Sequence, residues 1–146
     1  MRQPLFFGSD HAGLPLKKPL IDHLLSRDHI CHDLGTDSLQ SCDYPVYAQA
    51  VCRKVLETGG MGILICGSGM GMSMAANRFA GIRAALCTNE FLARMARRHN
   101  HANVLCLGQR VIGIDLAKSI IDAFLDNSFE GGRHQHRIDM FEKHQN

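Results

Sequence analysis

Gly62-Ile-Leu-Ile-Cys66-Gly67-Ser68-Gly69-Met70-Gly71-Met72-Ser73 puts a cysteine at the end of an apolar run and a glycine at alternate positions after it. Alternating glycines expose backbone N–H groups, and the positive end of a following helix adds to them, so the loop suits a phosphate or a developing oxyanion. Cys66 stands where the strand ends and the helix begins, a position that favours a thiolate able to abstract a proton. On position alone it serves equally well as the buried end of the strand.

Other uses of such a loop each fail on a residue. A Walker loop closes with Gly-Lys-Ser/Thr, and here Gly71-Met72-Ser73 stands instead. A dinucleotide fingerprint needs its third glycine one residue later than Gly71. A cysteine phosphatase needs an arginine after five intervening residues, where this chain has Met72. Arg133 and Arg137 are four apart and share a face if their segment is helical. Nine histidines raise the question of a metal, yet His99-x-His101 and His134-x-His136 have no Cys, Asp or Glu at zinc spacing, so no metal and no cofactor is expected. The six cysteines show no CxxC pair and are expected to be reduced thiols.

The elements that must position these residues alternate. Apolar runs at Leu5–Phe7, His29–Leu34, Met61–Cys66, Ile82–Cys87 and Asn103–Leu107 predict five strands. Helical periods up to Arg27, over Tyr44–Glu57, in a short piece to Asn77, over Glu90–Arg98 and over Ile114–Leu125 separate them. Strands and helices in this order predict an α/β fold, a three-layer α/β/α sandwich of Rossmann-like type with about five parallel strands. Ligands of such sheets collect beyond the carboxyl ends of the strands, which nominates the loops at Gly8, Cys66 and Gly108. A single domain over 1–146 is expected, with a C-terminal helical tail from about 129 that is too polar to be a core helix.

The formal net charge of +2, without a dense Lys/Arg block, argues against a grip on nucleic acid or on an acidic membrane surface. The apolar runs are too short to span a bilayer and the N-terminus has no signal-like core, so a cytoplasmic location is expected.

Six ordered motifs resemble the ribose-5-phosphate isomerase B family, which also includes galactose-6-phosphate isomerase subunits and allose-6-phosphate isomerase. They are Ser9-Asp10-His11-Ala12-Gly13, Asp43-Tyr44-Pro45, Cys66 to Gly71 with Ala75-Ala76-Asn77-Arg78, Gly81-Ile82-Arg83-Ala84, Arg98-His99-Asn100-x-Ala102-Asn103-Val104-Leu105, and Gly131-Gly132-Arg133-His134-x-x-Arg137. The resemblance implies an aldose–ketose isomerase that interconverts ribose 5-phosphate and ribulose 5-phosphate through an enediolate. A six-carbon sugar phosphate is the alternative substrate, and a non-catalytic sugar-phosphate-binding protein is the alternative of another class. Cys66 resembles the family's base and His99 its ring-opening acid. Asp10 and His11 resemble residues that contact the sugar and phosphate ends, and Asn100 one that binds hydroxyls. Arg110, Arg133 and Arg137 resemble the phosphate-binding arginines, and the backbone of Gly67, Ser68, Gly69, Met70 and Gly71 resembles the enediolate's anion hole. The resemblance also implies a homodimer with sites at its interface, and tetramers as paired dimers. The chain departs from the pattern at His101, where many relatives carry an acid, and at Ser68, often threonine.

Overall fold

The computed structural model describes residues 2–143; Met1 and residues 144–146, the end of the expected tail, lie outside the described residues. Five strands, β1 (Leu5–Ser9), β2 (Cys31–Asp33), β3 (Met61–Cys66), β4 (Ala84–Leu86) and β5 (Val104–Gly108), form one sheet in the order β2-β1-β3-β5-β4. Every pairing in it is parallel. Six helices complete the described residues: α1 (Leu14–Leu25), α2 (Tyr44–Thr58), α3 (Met70–Ala76), α4 (Glu90–Arg98), α5 (Ile114–Leu125) and α6 (Arg133–Glu142).

Side chains of a strand alternate between its faces, and here the alternation sorts the core into two halves. Leu5, Phe7, Ile63, Ile65, Leu105 and Leu107 bury against α1, α4 and α5 on one face. Phe6, Leu64, Cys66, Val104 and Cys106 bury against α2 and α3 on the other. This is the expected three-layer α/β/α fold, and it explains why the three central strands are apolar at every position except Ser9, which is itself buried. The edge strands β2 and β4 are three residues each, half the expected length. Each has a single neighbour, so the periods at its ends have nothing to pair with.

The tail departs from expectation too. Although polar, α6 buries His134 and Ile138, one helical turn apart, at 7 % and 4 % exposure. Period, rather than mean polarity, decides whether a helix docks.

Gly13, at the start of α1, is a point of close approach. A Cβ there would lie 2.2 Å from the carbonyl oxygen of Ile65 and 2.6 Å from its carbon, both backbone atoms of β3. The Gly13 N–H also donates to Asp10 Oδ1 at 3.0 Å. A Gly13→Ala variant should therefore lose about 1–3 kcal/mol, the usual cost of overpacking, and loosen the Asp10 loop with it. Chemical denaturation measures this; an unchanged midpoint would show that α1 can slide away from β3 freely.

Candidate active site

In the order β2-β1-β3, β1 has β2 on one side and β3 on the other, and the helices leaving β1 and entering β3 lie on opposite faces. Chain connections diverge there, which opens a crevice at the carboxyl ends of the two strands. Asp10 follows β1 and Cys66 closes β3, with Ser9 and Ile65 in register beside each other. A cleft of about 340 Å³ lies over this point, lined by Asp10, His11, Ala12, Tyr44, Cys66, Gly67, Ser68, Gly71, Arg110 and Val111.

Cys66 is 5 % exposed, and its Sγ accepts the Gly69 N–H at 3.1 Å. Gly69 can make that bond because its φ is +79°, the left-handed region that glycine enters without strain. The loop is fixed to the end of β5 by Gln109 N–H to the Cys66 carbonyl and Arg110 N–H to the Gly67 carbonyl, both 2.9 Å. These two bonds set the Arg110 side chain over Gly67, whose added Cβ would meet Nη1 at 3.0 Å. Arg110 makes no ion pair among the described residues. Asp10 is 6 % exposed, and His11 Nδ1 accepts the Cys42 N–H at 3.2 Å, which leaves the neutral ring's proton on Nε2. Ser68 Oγ accepts the Met70 N–H at 3.3 Å.

All six cysteines are free. Burial pushes the Cys31, Cys52 and Cys87 thiols up to about 11 and Cys106 well above the ordinary range, the behaviour of inert packing groups. Cys66 is the one buried cysteine that also lines the cleft.

The residues nominated from sequence fall into two groups. Asp10, His11, Cys66, Gly67, Ser68, Gly71 and Arg110 share the cleft. Gly69 is buried and does not line it, and the Met70 side chain is 53 % exposed. α3 has seven residues, so backbone N–H groups of the loop, more than a helix dipole, are what it can offer an anion. His99, Asn100, Arg133 and Arg137 do not line the cleft. Asn100 faces a separate cavity with Asn77, Arg83 and Phe141. Arg133 and Arg137 lie in a helix, α6, as a shared face requires, and both are exposed.

His99 stacks on His134, ring centroids 4.2 Å apart and planes 13° from parallel. Glu130 faces both, with Oε2 3.7 Å from His99 Nε2 and 3.6 Å from His134 Nε2. Its other oxygen takes the Arg98 Nε–H at 2.6 Å, which holds this carboxyl below the usual carboxylate range. Burial, then the charges of His99 and Arg133, lowers the pKa of His134. These three side chains have metal-like proximity, their ligand atoms within 4.8 Å of one another. Imidazole lone pairs lie in the ring plane, however, so two stacked rings direct them side by side and not at one ion. Sequence spacing nominated neither Glu130 nor His134 as a neighbour of His99, because α6 returns to α4 through a tertiary contact. Tyr44, the first residue of α2, also lines the cleft and packs over Gly71.

The family model described as Ribose/Galactose Isomerase matches residues 5–141. Ribose-5-phosphate isomerase B of Escherichia coli is 50 % identical over 135 residues, which cover 91 % of this chain and 90 % of that one. A ribose 5-phosphate isomerase structure from Thermotoga maritima superposes with a TM-score of 0.95 at 46 % identity, covering 98 % of this chain and 99 % of that one. Ribose-5-phosphate isomerase B from Mycoplasma genitalium, solved with bound ribulose-5-phosphate, superposes with a TM-score of 0.94 at 43 % identity, covering 97 % and 95 %.

Proposed function

The chain belongs to the ribose/galactose isomerase family, and on that premise we propose that it interconverts D-ribose 5-phosphate and D-ribulose 5-phosphate through an enediolate. One observation carries the chemistry: a cysteine lies at the carboxyl end of β3 in a cleft shared with Asp10, His11 and Arg110. Moving a carbonyl between adjacent carbons needs a base beside them, donors for the enediolate oxygen and a grip on the remote phosphate. In this reading the Cys66 thiolate takes the proton from C2 of the open-chain aldose and returns it to C1. The neighbouring backbone N–H groups stabilise the enediolate, and the proton lost from one hydroxyl is regained at the other oxygen. No redox cofactor or metal enters the balance, since substrate and product are isomers.

The cleft holds one arginine, and the other nominated cations and His99 lie outside it. That separation supports a site completed by a second copy, whose His99 opens the sugar ring and whose Arg133 and Arg137 clamp the phosphate alongside Arg110. A homodimer with two such sites is the simplest closed arrangement. No helix among the described residues is long and apolar enough to cross a membrane.

A coupled assay on ribose 5-phosphate, beside allose 6-phosphate and galactose 6-phosphate, tests the proposal. Turnover of the pentose phosphate that is unchanged by EDTA is expected. Turnover of a hexose phosphate alone would overturn the pentose assignment, and binding without turnover would overturn the enzyme.

A further inference from the structure

At the amino-terminal ends of the strands, opposite the catalytic cleft, a cavity of about 190 Å³ is lined by Arg83, Arg97 and His101 together with Gln3, Gly60 and Asn103. Strands of five and six residues at about 3.3 Å each set it roughly 15–20 Å from Cys66. Three lining groups are basic and none is acidic.

Arg97 is the unusual member. It is 8 % exposed, with its guanidinium carbon 5.6 Å above the Phe124 ring. Nη1 donates to the Ala102 carbonyl, while Nε is buried with no partner. No carboxylate pairs with Arg97 among the described residues. A guanidinium drawn out of water without a counter-ion is costly, and proteins normally place an acid beside it. Arg83 spends Nε on the His101 carbonyl at 2.9 Å and Nη1 on Glu142 at 2.7 Å, and Nη2 has no partner among the described residues. His101 sits in a left-handed turn, φ +49°, with its ring stacked on Phe129. Burial, then Arg83 and Arg97, lowers its pKa, so near neutral pH the ring is uncharged and offers an N–H.

We propose that this cavity is a second anion site, taking one tetrahedral oxyanion of phosphate size as the missing counter-charge of Arg97. Arg83 Nη2 and the His101 ring supply further donors. The anion is either a free ion or the phosphate of a small ester, and the two differ in what the mouth of the cavity must admit. The site does not rest on the isomerase assignment.

Thermal unfolding of the full chain tests it, with sulfate or glycerol 3-phosphate exchanged for chloride at constant ionic strength. Ligand that binds only the folded state raises the midpoint in proportion to ln(1 + [L]/Kd). The rise with sulfate should survive in Arg110→Ala, whose change lies in the catalytic cleft. It should weaken about tenfold or more in affinity when His101→Asp is added to Arg110→Ala, so that a carboxylate stands in the cavity while the catalytic cleft is already disabled, since like charges side by side are strongly unfavourable. Aspartate tolerates the left-handed turn at 101, so this variant keeps the backbone. A rise with glycerol 3-phosphate in Arg110→Ala that is likewise lost in the double variant assigns the site to phosphate esters as well, and a rise with sulfate alone restricts it to free ions. If His101→Asp does not fold, selenate-soaked crystals of the unaltered chain decide, through an anomalous peak beside Arg97. Loss of the sulfate effect in Arg110→Ala, its persistence in the Arg110→Ala/His101→Asp double variant, or selenate found only under Arg110 would each overturn the site.

Discussion

Cys66→Ala should lower kcat on ribose 5-phosphate by about 10²- to 10⁴-fold or more, the scale of a positioned acid–base group. KM should move little, because the phosphate grips lie on other loops. The substitution removes an Sγ that is 5 % exposed and accepts a single N–H, from Gly69. Its cost to folding is thus a small cavity and one hydrogen bond, about 1–3 kcal/mol together, so the protein should remain folded. Cys66→Ser separates base from filler. A hydroxyl occupies nearly the same volume but ionises far too rarely to serve, so it should be as inactive as alanine while restoring most of the stability. Activity within about tenfold of the parent in either variant would remove Cys66 from the mechanism.

The second large effect is a gain. Cys66→Ala and His99→Ala should each be nearly inert alone, yet regain activity when the two chains are co-expressed and assemble together. In a two-fold dimer formed at random, half the molecules are mixed and each of those has one intact site, so roughly a quarter of the parent activity should return. The motive is the separation of His99, Arg133 and Arg137 from the cleft that contains Cys66. Complementation is read by purifying mixed dimers through two different affinity tags, which should raise the figure to about half of the parent activity. If they are as dead as their parents, both residues act within one copy; if the His99→Ala parent is itself active, His99 has no role. In either case the two-copy site is wrong.

Most of the frame was legible because it rests on local periodicity. β3, α4 and α5 start and stop where their apolar periods do, with the Asn89 side chain accepting the Leu92 N–H at 2.9 Å as the cap of α4. β2 and β4 were read too long because strand length depends on neighbours that a period does not reveal. The left half of the candidate site was legible for a related reason. Asp10 and Arg110 follow central strands and Cys66 closes one, and a parallel sheet brings such positions to one end. The right half was not. That Glu130 and His134 lie against His99 depends on where α6 comes to rest, which no spacing encodes. Likewise, the buried Arg97 reads in sequence as one of several basic residues near the end of α4, and only its depth sets it apart.

The alternation that sorts the core has one more consequence, for tolerance. Cys66 is the last rung of the half-core containing Phe6, Leu64, Val104 and Cys106, so its sulfur is as still as the packed interior. Arg133 and Arg137 stand on an exposed helix with no ion-pair partner among the described residues. In the proposed site the arrangement is that of a vice with one jaw set in the core and the other on the surface of a helix docked by His134 and Ile138. On that reading, the atom that moves the proton is held by packing, and the doubly charged group is held by side chains that solvent reaches. Substitutions at Arg133 or Arg137 should then change how tightly the phosphate is gripped without disturbing the packing around Cys66.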